Sequence, residues 1–137
     1  MTSEPRPNGR ESPPVSVKGV CFDGAARVML CLNWRHEWEL PGGRPEAGEG
    51  GETCLEREIL EEAGVIISVR EALTEYAFQV LPGSWVHIVI YGCVPVGAPN
   101  LTPSLEHRTV AFIDHSELES LQLPEGYRQA IAAWRTR

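Results

Sequence analysis

The spacing of apolar residues along the chain predicts two β-hairpins. Apolar residues dominate Val15 to Phe22 and Ala26 to Asn33, and the dipeptide Asp23-Gly24 between them is a strong hairpin turn signal. Val65 to Val80 and Trp85 to Val94 are rich in β-branched and aromatic residues, and a Pro-Gly turn separates them. We therefore predict that each pair of segments folds back on itself as two antiparallel strands.

Three further segments are predicted to be helices, and one to be a strand. Apolar residues recur every four positions over Gly51 to Ala63. Later in the chain, His115 to Leu121 and Glu125 to Arg135 are predicted helices, and Trp134 lies on the face of the last one that packs on the core. His107 to Ile113 is a predicted strand. This order of strands, helix, strands and helices predicts an α+β fold.

The length and composition are those of one compact domain. With 137 residues and 42% hydrophobic content, the chain can form one core. Met1 to Pro14 mixes proline, serine, glycine and charged residues, which predicts a disordered tail before a single domain over residues 15–137. No apolar run reaches the ~20 residues of a membrane helix, and the N-terminal stretch lacks the apolar core of a signal peptide, so no membrane partner is expected.

The four cysteines predict a cellular setting. Cys21, Cys31, Cys54 and Cys93 show no C-x-x-C spacing and lie in apolar or helical contexts. Such positions favour buried free thiols over disulfides or zinc ligands. We therefore expect a protein of the reducing cytoplasm that has no structural zinc.

The charge of the chain bears on its partners. The formal net charge of −7 argues against a nucleic-acid partner, because such proteins need a basic surface to displace the counterions of phosphates. Much of the negative charge lies between Arg35 and Glu62, where nine acidic residues stand against three arginines. This segment would repel a polyphosphate unless divalent cations were bound as well.

Three glutamates share one stripe of the first predicted helix. At 100° per residue, Glu61 and Glu62 fall within about 60° of Glu58, and each like-charge pair at this spacing costs roughly 0.2–0.5 kcal/mol. A hard divalent cation such as Mg²⁺ prefers oxygen ligands and would turn this repulsion into coordination. The alternative is the solvated acidic face of an amphipathic helix.

The residues before this helix decide between the two alternatives. A glycine-rich loop leads into the helix, and together they read Gly43, five residues, Glu49, seven residues, Arg57-Glu58-Ile59, one residue, Glu61-Glu62, one residue, Gly64-Val65. The stretch fills every position of the signature G-x5-E-x7-R-E-U-x-E-E-x-G-U, in which U is aliphatic. The chain therefore resembles the Nudix hydrolases.

The resemblance implies a fold and a metal centre. The implied fold is a mixed β-sheet sandwiched between α-helices, in α/β/α layers. The implied metal ligands are three carboxylates and one backbone carbonyl, those of Glu58, Glu61, Glu62 and Gly42. Two catalytic residues are expected to orient these carboxylates and keep them ionised, Arg57 and Glu49. For Arg57 the alternative is an ordinary surface ion pair.

The resemblance also implies a reaction, in which water attacks a phosphorus of a nucleoside diphosphate linked to a group X, with Mg²⁺ as cofactor and Mn²⁺ as an alternative. The base that takes the proton from this water is expected to be Glu58 or Glu106. ADP-ribose or a nucleotide sugar is the favoured substrate, since Pro82 lies seventeen residues beyond Val65, near a proline of some ADP-ribose pyrophosphatases of the family. The alternatives are a nucleoside triphosphate pyrophosphohydrolase, including one for oxidised nucleotides, and a nucleotide sensor without activity.

Side chains near the signature and on the second hairpin are candidates for contact with a nucleotide. Trp34, Trp38 and Trp85 are candidates for stacking on a base, and Arg35, His36 and Arg44 for binding phosphates. For the tryptophans, packing in the core is the alternative. The oligomeric state is left open between a monomer and a homodimer.

Overall fold

The computed structural model describes residues 13–99 and 109–137. In this part of the chain there are seven strands and three helices: β1 (Val15–Cys21), β2 (Val28–Leu32), β3 (Trp38–Glu39), β4 (Gly42–Gly43), α1 (Gly51–Ala63), β5 (Ile67–Leu81), β6 (Ser84–Pro95), β7 (Thr109–Ile113), α2 (His115–Leu118) and α3 (Glu125–Arg135). Most of the predicted N-terminal tail and the start of the strand predicted from His107 lie outside the described residues. No helix of the described residues has the length and apolar character needed to cross a membrane.

The strands form two sheets. The larger sheet is mixed and has the order β4-β1-β6-β5, in which β1 runs parallel to β6 and antiparallel to β4. The smaller sheet has the order β3-β2-β7, and both of its pairings are antiparallel. Strands β5 and β6 form the long hairpin predicted for this part of the chain, with its turn between Leu81 and Ser84.

Helices cover the strands on two opposite sides, which gives the predicted α/β/α layers. The side chains of β1 alternate between two cores, because successive residues of a strand point to opposite faces. Val17 and Cys21 pack in the core of α1, and Val20 packs in the core of α3. The buried residues of α1 are Cys54, Leu55, Ile59, Glu62 and Ala63. The buried residues of α3 are Tyr127, Ala130 and Ile131. The predicted α+β fold is confirmed.

The first predicted hairpin is wrong as a strand pair. The chain does reverse after β1, since the Asp23 carboxylate accepts hydrogen bonds from the N–H groups of Ala25 and Arg27, both at 2.9 Å. However, one bridge between Phe22 and Val28 is the extent of the pairing, and β1 and β2 then separate into different sheets. Both strands are buried on both faces. The turn signal predicts the reversal alone, whereas burial on two faces places each strand between two neighbours of its own sheet.

The remaining predicted elements are present, with bounds that differ by one or two residues in β5 and β6, whereas the short strands β3 and β4 were not predicted. Helix α1 has the predicted bounds, and it ends where Gly64 adopts a left-handed conformation and donates its N–H to the Leu60 carbonyl at 2.9 Å. Helix α2 ends at Leu118, three residues earlier than predicted, in a tight turn closed by an N–H of Leu121. Trp134 packs against β6, where its Nε1–H donates to the Cys93 carbonyl at 3.1 Å. The four cysteines are buried free thiols, as predicted.

Candidate functional site

Two glycines bring the signature loop against β1 and α1. Gly42 has a φ of 146°, and a side chain on it would collide with the Val17 carbonyl oxygen. A side chain on Gly43 would collide with the Glu58 carboxylate. Gly42 therefore needs glycine because of its φ and the nearby backbone of β1, and Gly43 because the Glu58 side chain rests on it.

Arg57 lies at the centre of the acidic residues of the signature. Its Nε and Nη2 donate to the two carboxylate oxygens of Glu49, at 2.8 and 2.9 Å, which is a bidentate pair. Its Nη1 lies 3.3 Å from an oxygen of Glu58 and 3.3 Å from an oxygen of Glu61. The positive partner that the clustered glutamates require is, in this structure, a guanidinium group of the same helix.

The pairing shifts the protonation of both partners. The Arg57 guanidinium, with help from the Glu46 N–H, holds the pKa of Glu49 at about 2, against its usual 4.5. The same hydrogen bond to Glu49 raises the pKa of Arg57. Glu49 is therefore a carboxylate, and Arg57 a cation, throughout the neutral pH range.

Glu62 occupies a different environment from the other two glutamates of the stripe. It is buried, and one of its carboxylate oxygens accepts a hydrogen bond from the Gly42 N–H at 3.1 Å. The Cys31 thiol lies 4.0 Å from the same oxygen. Glu62 thus ties α1 to β4, and Gly42, predicted to offer its carbonyl to a metal, also contributes its N–H to the site.

The donor set fits a hard divalent cation, because carboxylate and carbonyl oxygens are the ligands that such ions take. Within residues 13–99 and 109–137, however, no three His, Cys, Asp or Glu side chains converge on one position for an ion. The contacts of these carboxylates differ, since Glu58 and Glu61 lie 3.3 Å from Nη1 of Arg57 while Glu62 accepts a hydrogen bond from the Gly42 N–H.

Cys54 lies beneath the loop and was not among the residues predicted for the site. Its Sγ is 3.9 Å from the Gly43 carbonyl oxygen and 4.0 Å from Nη2 of Arg57. Burial, followed by the negative charges of Glu49 and Glu58, raises the pKa of Cys54 to about 11. Cys54 is therefore a neutral thiol at physiological pH.

A cavity of about 660 Å³ opens on the side of the sheet that faces α3. Its aromatic lining residues are Trp38, Tyr76, Phe78 and Tyr127. Its charged lining residues are Lys18, Arg35, Glu37, Glu39 and Arg44. Arg44 also touches the signature, because its carbonyl accepts a hydrogen bond from Nη2 of Arg57 at 3.4 Å. The cavity and the carboxylates are therefore neighbours, with Arg44 between them.

The residues predicted to contact a nucleotide are divided by the structure. Arg35 and Arg44 line the cavity. Trp34 is 82% exposed outside it, with the Arg35 guanidinium 5.3 Å from its ring centroid, and Trp85 is 42% exposed on β6 and is not part of the lining. Glu106, the alternative base, lies outside the described residues. Trp38, also a candidate for stacking, is part of the cavity lining, whereas His36 is not. The other aromatic residues of the lining and the chain's only lysine, Lys18, were not predicted for the site.

The Glu49 and Arg57 pair predicts a pH-dependent contribution to stability. A folded-state pKa of about 2 against 4.5 stabilises the fold fully above about pH 4.5, and this contribution is lost as the pH falls toward 2. We expect Glu49→Gln to be less stable than the wild type at pH 7, and the urea midpoints of the two proteins to converge at low pH. A constant difference between the midpoints over this range would contradict the assignment.

The signature residues lie within a stretch of the chain that is similar to known proteins. A model of the NUDIX domain family matches residues 12–134. The chain belongs to the NUDIX family. A relative described as a MutT-like protein, from Streptomyces ambofaciens, is 32% identical to this NUDIX chain over 117 residues, which cover 82% of the chain and 73% of the relative.

Two further proteins resemble this chain over a shorter stretch or at lower sequence identity. An RNA pyrophosphohydrolase from Dinoroseobacter shibae is 39% identical over 59 residues, which span 41% of this NUDIX chain and 37% of the relative. The solved structure of a NUDIX hydrolase from Nitrosomonas europaea superposes with a TM-score of 0.76 at 18% identity and covers 91% of the chain and 90% of its own length. The structural likeness shows a shared fold, and the family membership makes the protein a NUDIX pyrophosphohydrolase.

Proposed function

We propose that the protein hydrolyses the pyrophosphate bond of a nucleoside diphosphate linked to a further group X, with a divalent cation as cofactor. The observation that carries this proposal is the position of Arg44, which lines the aromatic cavity and contacts Arg57 through its carbonyl. A base in the cavity would place its phosphates beside Arg44, on the way to the carboxylates of the signature. We also propose that the protein acts in the cytoplasm, because its four thiols are free and buried.

The carboxylates of Glu58, Glu61 and Glu62 and the carbonyl of Gly42 are the groups proposed to hold the cation, Mg²⁺ or alternatively Mn²⁺. When bound, such an ion neutralises phosphate oxygens and stabilises the departing phosphate. Arg57 and Glu49 act as positioning residues, since the bidentate pair fixes the guanidinium from which Glu58 and Glu61 are held.

Hydrolysis breaks one P–O bond of the bridge and forms a new one between phosphorus and the oxygen of water, so one proton must leave the water. Glu58 is the proposed acceptor among the described residues, because its carboxylate rests on Gly43 beside the other acidic side chains. Glu106 remains the alternative proposed from the sequence. The leaving phosphate carries X away, and the nucleotide is released with the other phosphate.

The identity of X is open between a sugar and a phosphate, so the leaving group is either a sugar phosphate or pyrophosphate. The residue that favoured ADP-ribose, Pro82, lies in the turn of the β5–β6 hairpin and is not part of the cavity lining. The cavity therefore gives Pro82 no contact with a substrate. Nucleoside triphosphates and nucleotide sugars both present a diphosphate next to a nucleoside, which is the feature that the proposed site requires.

A turnover screen with Mg²⁺ and with Mn²⁺ tests the proposal. The substrates are ADP-ribose, nucleotide sugars, dinucleoside polyphosphates and nucleoside triphosphates, and chromatography follows the release of a mononucleotide. We expect release from at least one class and its loss when EDTA removes the metal. A folded protein that cleaves none of these classes, and that takes up neither metal in calorimetry with a nucleotide present, would contradict the proposal.

A further inference from the structure

The floor of the cavity contains a buried cation that the hydrolysis does not use. Lys18 lies in β1, is 7% exposed and lines the cavity. Its ammonium donates to the Leu40 carbonyl at 3.1 Å and to a carboxylate oxygen of Glu39 at 3.3 Å. A buried ammonium is costly unless its donors are satisfied, and it has three N–H donors. Among the contacts of the described residues, two of these donors have partners.

The contacts with Glu39 and Leu40 satisfy part of the donor capacity of Lys18. An apolar side chain in the middle of a buried strand would pack there at a lower desolvation cost. Burial raises the pKa of Tyr76 and of Tyr127, two phenols of the cavity lining, so both remain neutral. Lys18 is therefore a buried cation of the lining, and among the contacts of the described residues one of its three N–H donors is left for an occupant of the cavity.

The walls and the floor together define the chemistry of an occupant. Trp38, Tyr76, Phe78 and Tyr127 suit a flat aromatic ring, on whose faces such side chains stack. The ammonium is a donor without any acceptor capacity, so the edge of the ring that reaches it must present an acceptor. A carbonyl oxygen meets this need at the position where adenine carries its exocyclic amino group, since the amino group would place donor against donor there.

We propose that Lys18 sets the base preference of the site, so that the protein takes nucleotides whose base carries a ring carbonyl, as hypoxanthine, guanine and uracil do, in preference to adenine. The inference rests on the proposed function, because it requires that the cavity holds the base of the substrate. It narrows the substrate class, since it disfavours ADP-ribose and other adenine nucleotides.

The direct test compares two ligands that differ at this edge of the base. Inosine and adenosine monophosphates are titrated into the wild-type protein in EDTA, and binding is measured by calorimetry. A donor left unpaired on binding predicts that the inosine nucleotide binds roughly tenfold or more tightly. Equal or tighter binding of the adenosine nucleotide would overturn the proposal without any variant.

Two variants assign the preference to Lys18. Lys18→Met keeps the length of the side chain without its donors, and Lys18→Gln offers both a donor and an acceptor, so each should bring the ratio of the two affinities close to one. Arg44→Met is the matched control. It should lower the affinity for both ligands by the same factor, because the proposed function places Arg44 at the phosphate that the two ligands share. If either Lys18 variant folds and keeps the wild-type ratio, the assignment to Lys18 is wrong. If Lys18→Met fails to fold, Lys18→Gln and the wild-type comparison decide.

The outcome is separable from that of the proposed hydrolysis. The binding measurement uses no metal and no cleavage, so it reports on the cavity alone. Turnover of nucleotides with no preference between the two bases would refute the role of Lys18 and leave hydrolysis standing. A clear preference in a protein that cleaves no nucleotide would refute hydrolysis and leave base recognition standing.

Discussion

Replacing Glu61 and Glu62 together by glutamine will lower magnesium-dependent turnover by roughly 10²–10³-fold or more, because each loss of a charged group that stabilises the reacting phosphates has an effect of this size. The fold should survive the change. Glutamine keeps an oxygen that accepts from the Gly42 N–H, and the Glu61 pair with Arg57 is half exposed, where such pairs contribute about 0–1 kcal/mol. Steady-state release of mononucleotide and thermal unfolding measure the two effects.

The matched control for this pair is Glu52→Gln with Glu56→Gln, since both residues are exposed on the same helix outside the signature positions. The control removes two negative charges from α1 and should keep near-wild-type turnover. If the control and the Glu61 and Glu62 variant lose activity equally, the loss reflects the net charge of the helix. Full activity in the Glu61 and Glu62 variant would exclude these residues as metal ligands.

Replacing Arg57 by alanine will lower both activity and stability. The change removes the guanidinium that pairs with Glu49 and that lies 3.3 Å from Glu58 and from Glu61, so the carboxylates are left to repel one another. Residues that orient catalytic ligands typically affect metal affinity or activity by roughly 10–100-fold, and we expect a loss of this order. The melting temperature should fall at neutral pH and recover in part when Mg²⁺ is added.

Two companion variants separate charge from geometry. Arg57→Lys keeps the charge but cannot form the bidentate pair with Glu49. We therefore expect Arg57→Lys to be more stable than Arg57→Ala but nearly as inactive. Arg70→Ala removes an exposed arginine of β5 and should leave turnover unchanged. A fully active Arg57→Ala protein would show that the arginine is an ordinary surface ion pair, the alternative considered from the sequence.

The helix that carries the glutamates was predictable because its signals are local. Apolar residues every four positions and a glycine at the end determine where an isolated segment of chain becomes helical, and α1 has the bounds expected from them. The charge conflict among the glutamates was also visible in the spacing. The position of Arg57 among these glutamates depends on the loop, which brings Glu49 within 2.8 Å of the guanidinium.

The aromatic residues at the cavity were less accessible from the sequence. Trp34, Trp38 and Trp85 stand out by residue type, but Trp34 and Trp85 lie outside the lining, which Trp38, Tyr76 and Tyr127 help to form. These two tyrosines lie about fifty residues apart on β5 and α3. Their proximity depends on the packing of the last helix over the sheet, which no local pattern encodes.

Spacing along the chain was enough to establish the family, the acidic helix and the class of chemistry, because these depend on residues within one loop and one helix. The separation of β1 and β2 into two sheets, the burial of Lys18 under the cavity and the contact of Arg44 with Arg57 depend on the tertiary structure. Each of these features results from the burial of apolar faces of distant segments in common cores. Such burial depends on how all the elements pack together and not on any one segment.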